Sequence, residues 1–173
     1  SYLLLFFSFG LFAQINQDNP TIPFGSNSSY DYGMMPTNLP TINPSIVAQN
    51  EYEAFIEDFV EDCSGGRARV KFDNPAETVS EGIGYTMLLA AYAADHTTFD
   101  KLWAYYKYHM NSNGVMHWKI AGCNTVIGQN GATDAELDAA MALVIADFQW
   151  GSEGQTHDYA ADAIDLINSI RRH

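Results

Sequence analysis

Residues 82–94 read GIGYTMLLAAYAA, an uncharged run of small and apolar side chains that ends only at Asp95. The segment 79–94 is apolar or small all round, and a helix of that kind is stable only when other helices surround it. A second stretch of the same character begins at Thr133 and continues through Leu137, Met141, Val144, Ile145 and Phe148. Its opening, Thr133-Asp134-Ala135-Glu136, has the form of a capping box, with Thr133 at the helix start and Glu136 three residues on.

The helices around these two have another pattern. After Asn43-Pro44, a favourable helix start, Tyr52, Phe55, Ile56, Phe59 and Val60 share one face, with Glu51, Glu53, Glu57 and Asp58 on the other. Thr98 is read as opening the next amphipathic helix, whose buried stripe is Phe99, Leu102, Trp103, Tyr106 and Met110. The last carries Tyr159, Ala163, Leu166, Ile167 and Ile170 and closes on Arg171-Arg172, where positive charge suits a helix C-terminus. The order is outer, inner, outer, inner, outer, the inner helices start about fifty residues apart, and no convincing run of alternating strands appears. This predicts an all-α fold of helical hairpins stacked in a ring, an α/α toroid, of which about two and a half hairpins are present. A self-contained helical bundle is the alternative. Since a ring needs more hairpins, the sequence is expected to stop within the domain.

Length and composition place the chain among globular proteins: 173 residues, 47% hydrophobic and 13% aromatic. Eight basic against 21 acidic side chains give a formal charge of -13, which would repel nucleic acid and an anionic membrane and leaves a neutral or cationic partner. The start, SYLLLFFSFGLFAQ, is an uncharged apolar run of signal-peptide length, too short to span a bilayer. Without an initiator Met or a basic leader, residues 1–13 read as a truncated signal peptide, and a buried element of the domain is the other reading. Residues 14–44, rich in Asn, Pro, Ser, Gly and Thr, read as an extended lead-in, with a formal glycosylation sequon at Asn27-Ser28-Ser29. Residues 45–173 are the domain proper. Export predicts a secreted or periplasmic protein, where Cys63 and Cys123 could pair, although two separate buried thiols fit the sequence equally.

Glu81 and Asp134 share a description, each an acid in the first turn of an apolar inner helix. If the inner helices run parallel, both carboxylates reach the same end of the ring, and paired carboxylates facing one cleft are what glycoside hydrolysis uses. Capping and the helix dipole alone also favour acids there, by about 0.3–1 kcal/mol. Gly82 and Gly84, each costing the helix about 1 kcal/mol, are read as clearing room beside Glu81 for a ligand. A general acid there must keep its proton against the dipole, and desolvation and repulsion from Asp134 are the opposing terms. In the loop NGVMHWKIAGCN, Trp118 is the candidate stacking platform for a sugar ring. Tyr85, one turn beyond Glu81, reads first as core and otherwise as a second sugar contact. The five histidines show no ligand spacing, and neither a phosphate loop nor a nucleophile elbow is present. No metal and no cofactor are expected.

Three blocks, TVSEGIGYTMLLA, FDKLWAYYKYHMNSNGVMHWKI and GATDAELDAAMALVIADFQWG, in that order, resemble glycoside hydrolase family 8, with PFGSNSSYDYG agreeing more weakly. The resemblance implies a ring of six helical hairpins and a secreted β-glycanase. It implies Glu81 as general acid, Asp134 as the acid that holds the sugar at the cleavage subsite, and Trp118 as a stacking tryptophan. It further implies inversion of configuration, with a catalytic base in the second half of the domain, after His173. Thr86 departs from the family, standing where a Gly-Tyr-Gly-Met run would have its second glycine, and is expected to crowd the inner-helix packing or the cleft floor. The expected activity is an endo-β-1,4-glucanase acting on cellulose or a related β-glucan. Xylanase, chitosanase and a non-catalytic glycan-binding module are the alternatives, and a helical interaction protein is a more distant one.

Overall fold

A computed structural model describes residues 44–172. The signal-peptide, lead-in and sequon readings for residues 1–43 lie outside the described residues. Helix α1 (Pro44–Phe59) runs into a hairpin, β1 (Val60–Cys63) and β2 (Arg67–Val70). Strand β3 (Glu77–Val79) leads directly into α2 (Ser80–Ala93), which is followed by α3 (His96–Tyr108). Strands β4 (Lys119–Ala121) and β5 (Thr125–Gly128) precede α4 (Thr133–Trp150) and α5 (Tyr159–Ile170).

The inner and outer helices fall where the periodicity puts them. Helices α2 and α4 lie side by side and parallel: Gly84 faces Ala135 and Asp138 near their starts, and Gln149 Nε2 donates to Ala91 O near their ends. Ala90, Ala91, Ala139, Ala140, Ala142 and Ala146 are all buried in the shared core, small enough to let the two backbones approach. Phe99, Leu102, Trp103, Tyr105 and Tyr106 close the core from α3, and Tyr159, Ala163 and Leu166 from α5. Each large apolar side chain buried in this way contributes roughly 1.5–3 kcal/mol. At the C-terminal ends of the inner helices, Trp150 stacks on His96 at 4.6 Å and meets Phe99 and Tyr159 edge-on or tilted.

Several expectations are corrected. The inner helices are not buried all round: Tyr85, Leu89 and Tyr92 on α2, and Leu137, Met141, Val144 and Phe148 on α4, are exposed. On α1, Tyr52 is the one buried residue of the expected stripe; Phe55 and Ile56 are half-buried, Phe59 is exposed, and Val60 belongs to β1. Ile167 of α5 is exposed as well. Helix α3 begins at His96 rather than Thr98, because the Asp95 carboxylate accepts from Thr98 N at 3.1 Å and so caps the helix. The capping box at Thr133 does not form. Thr133 is already helical, Ala132 occupies the cap position, and no side-chain bond caps α4.

Short strands replace what had been read as loop. Strand β4 pairs antiparallel with β3 (Val79↔Lys119) and with β5 (Lys119↔Gly128), and β1 pairs with β2. Cys63, at the end of β1, is bonded to Cys123 in the β4–β5 turn, which decides between a disulfide and two free thiols. Closing a loop across the sequence separation of 60 residues corresponds to about 4 kcal/mol of chain entropy removed from the unfolded state.

Candidate active site

The N-termini of α2 and α4 form one end of the molecule. Strand β3 delivers the chain to α2 with Val79 still extended, so Glu81 stands one residue inside the helix, half-buried, with Ser80 Oγ 3.3 Å from its Oε2. Asp134 holds the matching place on α4 and is exposed. The two starts touch through Gly84, where a Cβ would come within 2.8 Å of Ala135 O and 3.1 Å of Asp138 Cβ. Gly84 is therefore a helix-packing glycine rather than room for a ligand. Gly82 faces Val70 and Val79 at ordinary contact distance, so it does not open the cleft either.

Trp118 is brought to the same end by its own backbone. Its carbonyl accepts from Ser80 N at 2.9 Å, one residue before Glu81. Its N–H donates to Asn130 O at 2.7 Å, in the loop that enters α4 four residues before Asp134. Asn130 adopts φ +70, a conformation asparagine tolerates well, and its N–H donates to His117 Nδ1 at 3.0 Å. His117, Trp118, Asn130 and Ser80 thus form one hydrogen-bonded frame, which Glu81 joins through Ser80 Oγ and which Asp134 follows on α4. The indole is 40% exposed, and Lys119, paired with Glu77 at 2.7 Å, places its ammonium 5.8 Å from the ring centroid.

Tyr85 is 57% exposed rather than core. Thr86 is buried and donates to Gly82 O at 2.7 Å. Its hydroxyl is satisfied by a back-bond to its own helix, so it does not line the cleft floor.

Behind the frame sits a carboxylate that served in the sequence only as half of a capping box. Glu136 is buried against Gly131, where any Cβ would overlap its Oε1. The Tyr106 phenol, buried nearby, is held well above the ordinary tyrosine value, chiefly by desolvation and also by the Glu136 charge. The Tyr105 phenol is pushed up to about 12 by burial, and its hydroxyl donates to Gly122 O at 2.9 Å. His109 is pushed below its usual value by burial, and its Nε2 lies 3.1 Å from Cys123 O. Tyr105 and His109 tie the end of α3 to the β4–β5 turn. Sequence reasoning missed Asn130, Glu136 and the Lys119–Glu77 pair; an asparagine before a glycine was the one local signal for the first of them.

Among the described residues no group of His, Cys, Asp or Glu is arranged to hold a metal ion, and no helix is long and apolar enough to cross a membrane.

The profile of Glycosyl hydrolases family 8 matches residues 31–172. Endoglucanase A of Acetivibrio thermocellus is 38% identical over 161 residues, which is 88% of this chain and 33% of that protein. Endoglucanase 2 of Ruminiclostridium josui is 36% identical over 156 residues, 86% of this chain and 34% of that protein. Among solved structures, the apo β-1,3-1,4-glucanase from Paenibacillus sp. X4 superposes with a TM-score of 0.78 at 31% identity, covering 88% of this chain and 43% of that one. The chain spans about a third of the length of the curated relatives it matches.

Proposed function

Since the chain belongs to glycosyl hydrolase family 8, we propose that it carries the proton-donor half of an exported, inverting endo-β-1,4-glycanase acting on cellulose or a related β-glucan. The observation that supports this most directly is the convergence of Glu81, Asp134 and Trp118 on one end of two parallel inner helices. Trp118 offers an exposed ring for a pyranose face. Tyr85 stands one turn further along α2, exposed and within the same end of the molecule, as a second contact.

The Glu81 carboxyl gives its proton to the glycosidic oxygen as the bond from that oxygen to the anomeric carbon breaks. Asp134 holds the sugar in the cleavage subsite through its hydroxyls. A water attacks the anomeric carbon from the opposite face, its proton passing to a base, and the new hemiacetal has inverted configuration. We assign that base to the part of the fold that lies beyond the third of its relatives spanned here. The same part of the ring would pack on the exposed stripes of α2 and α4.

Reducing-sugar release from carboxymethyl-cellulose, mixed-linkage β-glucan, xylan and chitosan tests the reading, using protein extended to the length of its relatives. Release from the glucans, with the first product appearing as the α-anomer by NMR, is expected. Preference for xylan or chitosan would move the substrate within the family, and inactivity on all four would overturn the enzyme reading.

A further inference from the structure

Gly128 ends the edge strand β5 and is buried under the Trp118 ring. A Cβ built on it would lie 2.5 Å from both Cε2 and Nε1 of the indole and 2.8 Å from Lys119 Cβ. No left-handed backbone requires a glycine here, because Gly128 is not among the positive-φ positions, which include Gly122 in the preceding turn. A glycine in a strand weakens it and marks a place where another group approaches closely. In this strand that group is the indole.

We infer that Gly128 is a positioning residue for the glycan platform: the bare backbone of β5 is the seat that sets the height and tilt of Trp118 relative to Glu81. The inference rests on the proposed role of Trp118. With its ring seated on Gly128, its N–H bonded to Asn130 O and its carbonyl bonded to Ser80 N, Trp118 is fixed from three sides. The third of these contacts is adjacent in sequence to the acid. Any side chain at position 128 lifts the ring while the two backbone bonds stay in place, so the platform moves relative to the cleavage point. Val126 and Ile127, the neighbours in β5, are exposed, whereas Gly128 is buried.

The test is a double-mutant cycle on the full chain, with cellohexaose as probe and binding followed by intrinsic fluorescence. Trp118→Ala and Gly128→Ala are each expected to weaken cellohexaose binding roughly tenfold. Combined, they should be no weaker than Trp118→Ala alone, and the near-UV circular dichroism change caused by Gly128→Ala should vanish in the Trp118→Ala background. If Trp118→Ala leaves binding unchanged, the platform reading fails and this inference fails with it. If Trp118→Ala weakens binding but Gly128→Ala changes neither binding nor the spectrum, the platform stands and the role of Gly128 is overturned. Equal losses from Gly128→Ala in both backgrounds overturn it as well. Should Gly128→Ala alone fail to fold, a melting transition restored by adding Trp118→Ala supports the seat, and one that stays absent refutes it.

Discussion

The two ends of the helix layer begin their helices differently. At the end where α3 and α5 start, each has an aspartate in the cap position: Asp95 accepts from Thr98 N and Asp158 from Ala161 N. At the other end, α2 and α4 start with Val79 and Ala132 in that position and no side-chain cap bond. The acids there, Glu81 and Asp134, stand one place inside the helix. An acid at a helix start is ordinarily explained by capping and the dipole. This molecule uses dedicated aspartate caps at one end and forgoes them at the other, where its two candidate catalytic carboxylates lie. Stability and chemistry are thereby separated by the length of a helix.

Glu81→Gln puts that separation to the hardest test. A general acid contributes about 10²–10⁴-fold to rate, so reducing-sugar release should drop by that range while the melting transition stays within about 0.5 kcal/mol of the parent. A variant that keeps its turnover but melts earlier would make Glu81 a helix-start residue like Asp95, and the contrast between the two ends would disappear.

Gly84→Ala probes the contact joining the two site helices. An added methyl gains about 1 kcal/mol of helix propensity. It also meets a backbone carbonyl, Ala135 O, at 2.8 Å, which has no side-chain freedom to give way. Overpacking of this kind costs about 1–3 kcal/mol. Since it pushes α4 from α2 just where Glu81 and Asp134 stand, both stability and turnover should fall, measured by denaturant unfolding and by reducing-sugar release. Unchanged values in both would mean the two starts are not held by this contact.

How far the sequence led is clear from the same residues. Inner and outer helices were legible because periodicity belongs to each helix alone. Glu81, Asp134 and Trp118 stood out as candidates because an acid in an apolar helix and a tryptophan in a glycine-rich loop are local anomalies, and the fold brings their segments to one end. The role of Gly84 was misread, since the chain does not show which backbone a distant segment will bring against it. The strands were missed for a related reason: β3 and β4 are three residues each and pair across about forty intervening positions, too short for an alternation to register. The capping box at Thr133 failed because Ala132 takes the cap position and Thr133 is already helical, which leaves its side chain one place too far along to cap.

Asp95→Ala belongs to the stability end. It removes the cap of α3, worth about 0.5–2 kcal/mol, and the acceptor of Tyr52 Oη at 2.9 Å, which ties α1 to the α2–α3 turn. The Tyr52 phenol, held well above its ordinary value by burial first and by Asp95 second, would then be left buried without that partner. The melting temperature should fall while activity per folded molecule is kept. Loss of turnover at full folding would show that the two ends are coupled.

The smallest effect separates the ends by pH. His157 lies at the cap end, with Lys107 Nζ 3.0 Å from its Nδ1 and Asp100 and Asp162 nearby. Burial, then the Lys107 charge, holds it below the usual histidine value, and the two aspartates oppose them without prevailing. A histidine depressed in the folded state takes up its proton more readily when unfolded. Its stabilising contribution is therefore complete above the unfolded value of about 6.5 and is lost as pH falls from there through the lower folded value. His109, depressed chiefly by burial at the site end, acts in the same direction. Melting temperature should accordingly decline from about pH 7 to about pH 5.5, above the range where carboxylates dominate. His157→Gln should make that decline shallower without altering cellohexaose binding, because its partners belong to α3 and α5 and none belongs to the frame around Trp118. An unchanged slope would place the pH dependence with His109 alone, and a change in binding would show that protonation at the cap end is felt at the site.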